Sequence, residues 1–455
     1  MNEGYFDALG VKTIWISPVD ANPDDGQPGS FGKLYAGYHG YWPSKARTIQ
    51  PRFGTMDELK ALTSAAHARG IRVVSDLVLN HVHEQHPYFT QHKDEGWFHT
   101  GTFCVCGEGS CDWDVHRLDC WFAPYLPDFN WRNNSVADQL QSDAMFWLKE
   151  GDLDGFRMDA VKHFEHSGSR AIAGAVHQIS ARTGIQYLLI GETFTGVEGR
   201  PLISEYINRN ELSGQFDFPL YWPIMDAIAK GGPLTALDQA AKLSDTDYPA
   251  GAINSVFIGN HDVPRFISTA AGQVEADAVA QAWGNRPPDQ VTTDEPFLRA
   301  RDAFAIALTL PGVPLIYYGD EVGTPGAGDP DNRRMMKFGA QLSSREAALL
   351  NQVQKIGSVR PKVKGLQTGA RTTLLAETDL WVYQRDDASQ PALVVIDREA
   401  TDRSVTITLS GEFAKLQPES FTDVLSGRTA TLGGSSVTLP VTAHSAAIWV
   451  PTDAL

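Results

Sequence analysis

Ionisable side chains cluster in the segment 154–163, which runs Asp-Gly-Phe-Arg-Met-Asp-Ala-Val-Lys-His. It begins as an apolar strand, on which Arg157 and Asp159 stand two residues apart and therefore point to the same face. A neighbouring guanidinium favours the ionised form of a carboxylate, which suits Asp159 to be a nucleophile. Lys162 and His163 follow, where the strand would run out into a loop. In isolation, the same pattern also fits a structural Asp–Arg ion pair.

Three other predicted strands also end in polar groups. Those groups are Asp76, Asn80 and His81 after the second strand, Glu192 after a later one, and His261 with Asp262 after another. In a parallel α/β barrel, the carboxyl ends of the strands meet around one mouth. Three carboxylates brought together there, Asp159, Glu192 and Asp262, meet the needs of glycosidic bond cleavage. One is an ionised nucleophile, one a protonated acid, and one is free to hold sugar hydroxyls.

Alternating apolar strands and amphipathic helices must position these groups. The alternation predicts an α/β chain with a (β/α)8 TIM barrel, but only seven strands can be counted, and the first begins at Val11. We therefore expect the first strand of such a barrel to be missing from this chain, and we favour truncation over an incomplete barrel. A short strand is predicted at 214–218 and a helix at 301–309. After residue 361 the hydrophobic period changes to two, which predicts an all-β sandwich.

These patterns divide the chain into four ranges. Residues 1–81 and 128–360 are predicted to form the barrel, 82–127 an inserted subdomain, and 361–455 the C-terminal β-sandwich domain. The insertion contains all four cysteines of the chain, Cys104, Cys106, Cys111 and Cys120. Their even, clustered number favours two local disulfides over free thiols or a zinc site, and three pairings are possible.

Composition and charge argue against some classes of binding partner. The 455 residues carry a formal net charge of −17, which argues against nucleic acid. No apolar run approaches the roughly 20 residues of a membrane helix, and the first ten residues lack the pattern of a signal peptide. We expect a monomer that binds neither nucleic acid nor membrane. Two disulfides imply an oxidising compartment, so an extracellular or periplasmic location is expected, with any signal peptide lost by truncation.

Six short stretches, in this order, resemble the α-amylase family, glycoside hydrolase family 13, over nearly the whole chain. They cover residues 76–81, 126–130, 155–163, 191–193, 257–262 and 312–321. The resemblance implies that Asp159 is the nucleophile, Glu192 the acid and base, and Asp262 the stabiliser of the transition state. Further residues would bind the sugars by this resemblance: Tyr41, His81, Arg157, Lys162, His163, His261, Asp329 and Arg333.

A calcium ion is implied by the same resemblance. Its ligands would be the side chains of Asn80 and Asp128 and the backbone carbonyl of His163, all hard oxygen donors. Asp119 is the candidate for a fourth ligand from the insertion. The alternative is that Asn80 and Asp128 only form hydrogen bonds.

The activity that the resemblance favours is retaining, endo-acting hydrolysis of α-1,4-glucosidic bonds in starch, glycogen and maltooligosaccharides. An enzyme like a cyclodextrinase or an α-glucosidase, acting on short α-glucans, is the second reading. A barrel that binds glycans without catalysis is the third, although such proteins usually lose one of the three carboxylates. The presence of Lys162 and His163 favours the α-amylase.

Overall fold

The computed structural model describes residues 4–29, 32–101, 104–278 and 287–455. The first three quarters of the chain contain seven parallel strands, and four short antiparallel strands lie in the loops between them. In chain order these eleven strands are β1 Thr13–Ile16, β2 Asp20–Ala21, β3 Gln27–Pro28, β4 Leu34–Tyr35, β5 Lys45–Ile49, β6 Arg72–Leu77, β7 Gly155–Met158, β8 Leu188–Gly191, β9 Gly214–Gln215, β10 Ser255–Phe257 and β11 Val313–Leu315.

The parallel strands pair in the order β1-β6-β7-β8-β9, and β10 pairs with β11. A single bridge between Phe216 and Ser255 connects the two groups. Within the described ranges, β1 and β11 do not pair with each other, so the prediction of a closed eight-stranded barrel is not confirmed. The seven predicted strands are present, and their apolar side chains belong to two buried clusters.

Twelve α-helices accompany the strands in the described parts. They are α1 Tyr5–Ala8, α2 Met56–His67, α3 Pro87–His92, α4 Asn134–Glu150, α5 His166–Thr183, α6 Arg200–Glu205, α7 Phe218–Ile224, α8 Leu234–Thr246, α9 Phe266–Ala270, α10 Glu295–Ala307, α11 Ser344–Val359 and α12 Lys364–Thr368. The helix α2 begins at a complete capping box, in which Thr55 and Glu58 satisfy each other's free backbone N–H groups. No described helix combines the length and apolar character that a bilayer crossing requires.

The insertion between β6 and α4 is irregular and is held together by two disulfides. Cys104 pairs with Cys111, and Cys106 pairs with Cys120. The prediction of two local disulfides is therefore confirmed, and the structure selects one of the three possible pairings. Cys106, Cys111 and Cys120 are buried, so the bridges form the small core of this segment.

The C-terminal part is built from eight antiparallel strands. They are β12 Arg371–Ala376, β13 Leu380–Arg385, β14 Ala392–Asp397, β15 Arg403–Thr408, β16 Glu419–Asp423, β17 Thr429–Leu432, β18 Ser436–Val441 and β19 Ser445–Pro451. Six form one sheet in the order β12-β13-β14-β19-β16-β17, and β15 pairs with β18. Apolar side chains from both sets, such as Val395 and Leu439, share one core. The alternation predicted from the sequence thus produces the expected two-layered β domain.

The two unpaired edges, β1 and β11, face a cavity of about 1250 Å³. Apolar side chains such as Leu9, Ile14 and Leu315 line it, and it reaches Arg157 and His261 at the centre of the molecule. The open side of the sheet therefore leads directly to the polar floor described next.

Candidate functional site

Arg157, on β7, is the centre of the polar floor. Its guanidinium is buried, and its Nη1 lies 2.9 Å from Asp76 Oδ1 and 2.5 Å from Asp159 Oδ1. The pairing register sets Asp76 of β6 directly beside Arg157, so the two side chains share the inner face. Asp159 follows β7 and accepts a hydrogen bond from the same Nη1.

Glu192 follows β8 and lies on the other side of the same guanidinium. Its Oε2 is 3.8 Å from Arg157 Nη2 and accepts a hydrogen bond of 3.0 Å from the Ala160 backbone N–H. Ala160 has a φ of 50°, in the left-handed region that few non-glycine residues adopt. Burial raises the pKa of Glu192 above its usual value, while Arg157 opposes the shift. Glu192 is thus suited to carry a proton, as a general acid requires.

Asp262 and His261 follow β10 and approach the floor from a fourth strand. The Nε2 of His261 lies 3.2 Å from Asp262 Oδ2 and 2.9 Å from the hydroxyl oxygen of Tyr41. Tyr41 donates a hydrogen bond of 2.6 Å to Asp76 and stacks on His261 with ring centroids 5.2 Å apart. Burial, followed by the charge of Glu192, raises the pKa of Asp262 to about 7. Asp159 and Glu192 therefore contact one guanidinium, and Asp262 interacts electrostatically with the same group.

A second ion pair, between Arg333 and Asp329, forms a wall of the site. Arg333 Nε lies 2.6 Å from Asp329 Oδ1, and its guanidinium carbon lies 5.9 Å from the ring centroid of Tyr41. Tyr38 donates a hydrogen bond of 3.3 Å to the same Asp329 oxygen. His81 closes the opposite end, where its Nε2 lies 2.9 Å from the backbone carbonyl of Tyr41.

Lys162 and His163 lie beside the insertion. His163 Nδ1 donates a hydrogen bond of 3.1 Å to the carbonyl oxygen of Arg117, and burial lowers the pKa of His163 to about 3. Burial also lowers the pKa of Lys162, which interacts electrostatically with Glu192. The structure therefore brings together every residue that the sequence analysis assigned to sugar binding.

Two of the predicted calcium ligands, Asn80 and Asp128, lie close together, since the N–H of Phe129 donates to the carbonyl oxygen of Asn80. Asn80 is fully buried, and its Oδ1 has no hydrogen-bond partner among the described residues. Asp128 is buried too, its Oδ2 lies 2.6 Å from His99 Nδ1, and burial together with the charges of Glu165 and Asp119 raises its pKa well above the usual value. A buried carboxylate and an unpaired amide oxygen are hard donors, so the chemistry of these two residues fits calcium.

The remaining donors of a calcium site would have to come from the backbone or from the insertion. In the described ranges, no three His, Cys, Asp or Glu side chains are arranged as a metal site, so a site here depends on the Asn80 amide and on backbone carbonyls. The Asp119 side chain is 40% exposed and lies 3.3 Å from His116 Nδ1, so its role as the fourth ligand stays a prediction.

Sequence reasoning did not assign site roles to two residues of the floor. Asp76 accepts from both Arg157 and Tyr41, and Trp15 on β1 places its ring 5.2 Å from the Arg157 guanidinium carbon and 5.5 Å from the His261 ring. The position of Asp76 on a predicted inward face was the available signal. Nothing local distinguishes Trp15 from an ordinary core aromatic.

Comparison with known proteins gives consistent matches. A family model described as "Alpha amylase, catalytic domain" matches residues 4–360. A cyclomaltodextrin glucanotransferase of Niallia circulans is 28% identical over 481 residues, covering all of this chain and 60% of the relative. An alpha-amylase of Niallia circulans is 25% identical over 96% of this chain and 78% of its own length. This chain therefore spans about three fifths of the length of the glucanotransferase it matches.

Solved structures share the fold. The alpha-amylase of Geobacillus thermoleovorans, complexed with acarbose, superposes with a TM-score of 0.78 at 25% identity, covering 98% of this chain and 89% of that one. An Anoxybacillus alpha-amylase gives a TM-score of 0.80 at 25% identity, covering 99% and 88%. These neighbours imply a (β/α)8 barrel with a C-terminal β domain.

Proposed function

Since this chain belongs to the α-amylase family, we propose that it is a retaining glycoside hydrolase that cleaves internal α-1,4-glucosidic bonds of starch, glycogen and maltooligosaccharides. One observation carries the proposal: the buried guanidinium of Arg157 contacts both Asp159 and Glu192, at 2.5 and 3.8 Å. Asp159, the proposed nucleophile, thus contacts the guanidinium, while burial raises the pKa of Glu192, the proposed acid. Retaining cleavage needs this division of roles.

The reaction would proceed in two displacements. Asp159 attacks the anomeric carbon while Glu192 gives its proton to the glycosidic oxygen, so the leaving chain departs as an alcohol. Glu192, now ionised, takes a proton from water, which attacks the same carbon and releases Asp159. Asp262 and His261 would hold hydroxyls of the distorted sugar, Tyr41 would stack on it, and Arg157 would hold Asp159 in position through their hydrogen bond.

The remaining polar residues would bind neighbouring parts of the glucan. The pair of Asp329 and Arg333 would grip the next sugar on the non-reducing side, His81 would bond the same sugar as His261, and Lys162 and His163 would line the leaving-group side. Asn80, Asp128 and the His163 carbonyl, with Asp119, would hold calcium, which would clamp the insertion onto the barrel. An extracellular or periplasmic location and a monomeric state complete the proposal, the location being supported by the two disulfides.

A cyclising glucanotransferase is the second candidate, because matched relatives are named cyclomaltodextrin glucanotransferases. Both activities share the first displacement. They differ in whether water or a sugar hydroxyl attacks the glycosyl-enzyme. The products therefore discriminate between them.

The test is the time course of products from soluble amylose. Early mixed linear maltooligosaccharides are expected, whereas cyclic products would indicate the transferase, and slow release of glucose or maltose alone would indicate a short-substrate enzyme. Asp159→Asn and Glu192→Gln should each lower the rate about a thousandfold, because each removes a reacting group. The matched control is Asp138→Asn, at an exposed position of α4. Near-normal activity in either active-site variant, or no products from folded wild-type protein, would overturn the proposal.

A further inference from the structure

The two disulfides hold a compact loop, residues 104–120, which we call the stapled loop. Its outermost turn is shaped by Asp112, whose Oδ1 accepts hydrogen bonds of 2.9 and 3.1 Å from the backbone N–H groups of Asp114 and Val115. The turn displays two large apolar side chains, Trp113 at 43% exposure and Val115 at 77%. A turn that exposes two large apolar side chains offers a small apolar surface, so the groups that border Trp113 are informative.

Trp113 ends a row of rings that starts in the proposed active site. His81 lies 5.3 Å from Phe122, and Phe122 lies 4.7 Å from His163, measured between ring centroids. The Trp113 ring is 5.5 Å from Phe122 and 5.6 Å from His163. The row therefore continues the lining of the site outward onto the surface of the stapled loop.

The Trp113 ring is held in place from behind. A Cβ atom built on Gly107 would lie 2.4 Å from Trp113 Nε1, and Gly107 has a φ of 79°. Only glycine fits such a position without strain. Gly107 stands between Cys106 and Cys111, so the bridges fix the backbone on which the indole edge rests. The side chain is thus positioned before any ligand arrives.

The row lies on the leaving-group side of the proposed reaction. Lys162 interacts electrostatically with Glu192 and also with Asp114 and Arg117 of the stapled loop. Glu192 is the proposed donor of the proton to the leaving oxygen, so sugar units that leave with that oxygen would pass toward the stapled loop.

From this continuity we propose that Trp113 is a stacking platform for a glucosyl unit of the leaving chain, at least one unit beyond the scissile bond, and that the two disulfides hold it there. Pyranose rings present apolar C–H faces that cover an indole while their hydroxyls stay in water. The platform favours long α-glucans over short ones. This inference rests on the proposed function, since it names which part of that substrate Trp113 binds.

The test compares Trp113→Ala with Val115→Ala, a matched truncation of an exposed apolar residue on the same turn. We expect Trp113→Ala to lower kcat/KM for maltoheptaose about tenfold, or roughly 1.4 kcal/mol, through KM, and to leave maltotriose nearly unchanged. Trp113→Phe should restore most of the loss. The double variant Cys104→Ser/Cys111→Ser should reproduce the Trp113→Ala profile and add little to it.

Equal losses on both substrates, or no loss, would overturn the platform. Binding of maltoheptaose to the Glu192→Gln protein, with and without Trp113→Ala, separates this inference from the proposed function. Tenfold weaker binding with Trp113→Ala supports the platform even if no wild-type turnover is found, and unchanged binding overturns it. Absent turnover with intact binding would count against the proposed reaction alone.

Discussion

A single buried cation organises the residues of the proposed site. The guanidinium of Arg157 meets Asp76, Asp159 and Glu192, each from the end of a different neighbouring strand. The nearest distances from the guanidinium are 2.9 Å to Asp76, 2.5 Å to Asp159 and 3.8 Å to Glu192. Burial raises the pKa of Glu192, and the charge of Arg157 opposes that shift. One guanidinium thus contacts both the proposed nucleophile and the proposed acid.

Lys162 is a second positive charge near Glu192, and a substitution can remove it. Its interaction with Glu192 lowers the pKa of that acid, which burial raises. Lys162→Met should therefore raise the pKa of Glu192, which would stay protonated to higher pH. Because the acid form is the active one, we expect the alkaline limb of the kcat–pH profile to move to higher pH, and Lys162→Arg should leave it in place. An alkaline limb that is unchanged in Lys162→Met, or that moves to lower pH, would contradict the assignment of Glu192 as the acid influenced by Lys162.

At the scale of elements, local pattern predicted the strands and their polar ends well. The exceptions have physical causes. The strand expected at 214–218 stops at Gln215, because Asp217 caps the following helix by accepting from the Leu220 N–H. The helix expected at 301–309 starts already at Glu295, with a proline in its first turn, where its missing N–H costs nothing.

Contacts between elements that are far apart in the sequence could not be predicted from local sequence patterns. The sequence left three disulfide pairings open, and the structure of the stapled loop selects one of them. Trp15 joins the site only because β1 pairs with β6 in a register that turns its ring toward Arg157. By contrast, the count of seven strands already predicted that a strand is missing, and β1 and β11 do face a cavity instead of each other.

The junction between the insertion and the barrel is the element that calcium would stabilise. The melting temperature should be higher in excess Ca²⁺ than in the presence of a chelator. A ligand that binds only the native state adds about 2.7 kcal/mol to the free energy of unfolding when its concentration is 100 times its Kd. Asn80→Ala should abolish most of that difference by removing the buried Oδ1. Thermal unfolding of both proteins in Ca²⁺ and in chelator measures it, and Asp119→Asn tests the fourth ligand. Identical wild-type melting in the two buffers would eliminate the site.

At the scale of the whole molecule, the barrel and the C-terminal sheet share one hydrophobic core. Side chains from α11, such as Val353, belong to the same buried cluster as Trp381 of β13 and Ile448 of β19. Polar contacts cross the same boundary: Thr309, after α10, shares a hydrogen bond of 2.5 Å with Tyr383 of β13. The β domain therefore contributes to the stability of the barrel while lying away from the proposed chemistry.

The carboxylate of Asp238, on α8, is the polar centre of this boundary. It accepts hydrogen bonds from Trp381 Nε1 at 3.0 Å and from the Thr373 hydroxyl, and it pairs with Arg371 at 3.4 Å. Without this carboxylate, the buried N–H of Trp381 would have no acceptor. The buried guanidinium of Arg371 would keep only its ion pair with Asp245. Asp238→Ala should thus lower the free energy of unfolding by about 3 kcal/mol.

Denaturant unfolding followed by tryptophan fluorescence measures that loss, and Asp24→Ala is the control. Asp24 pairs with Arg52 at 2.9 Å, but both side chains are largely exposed, so its removal should cost under about 1 kcal/mol. A similar small effect from Asp238→Ala would mean that the boundary tolerates the missing carboxylate, and the shared core alone would then have to hold the two parts together.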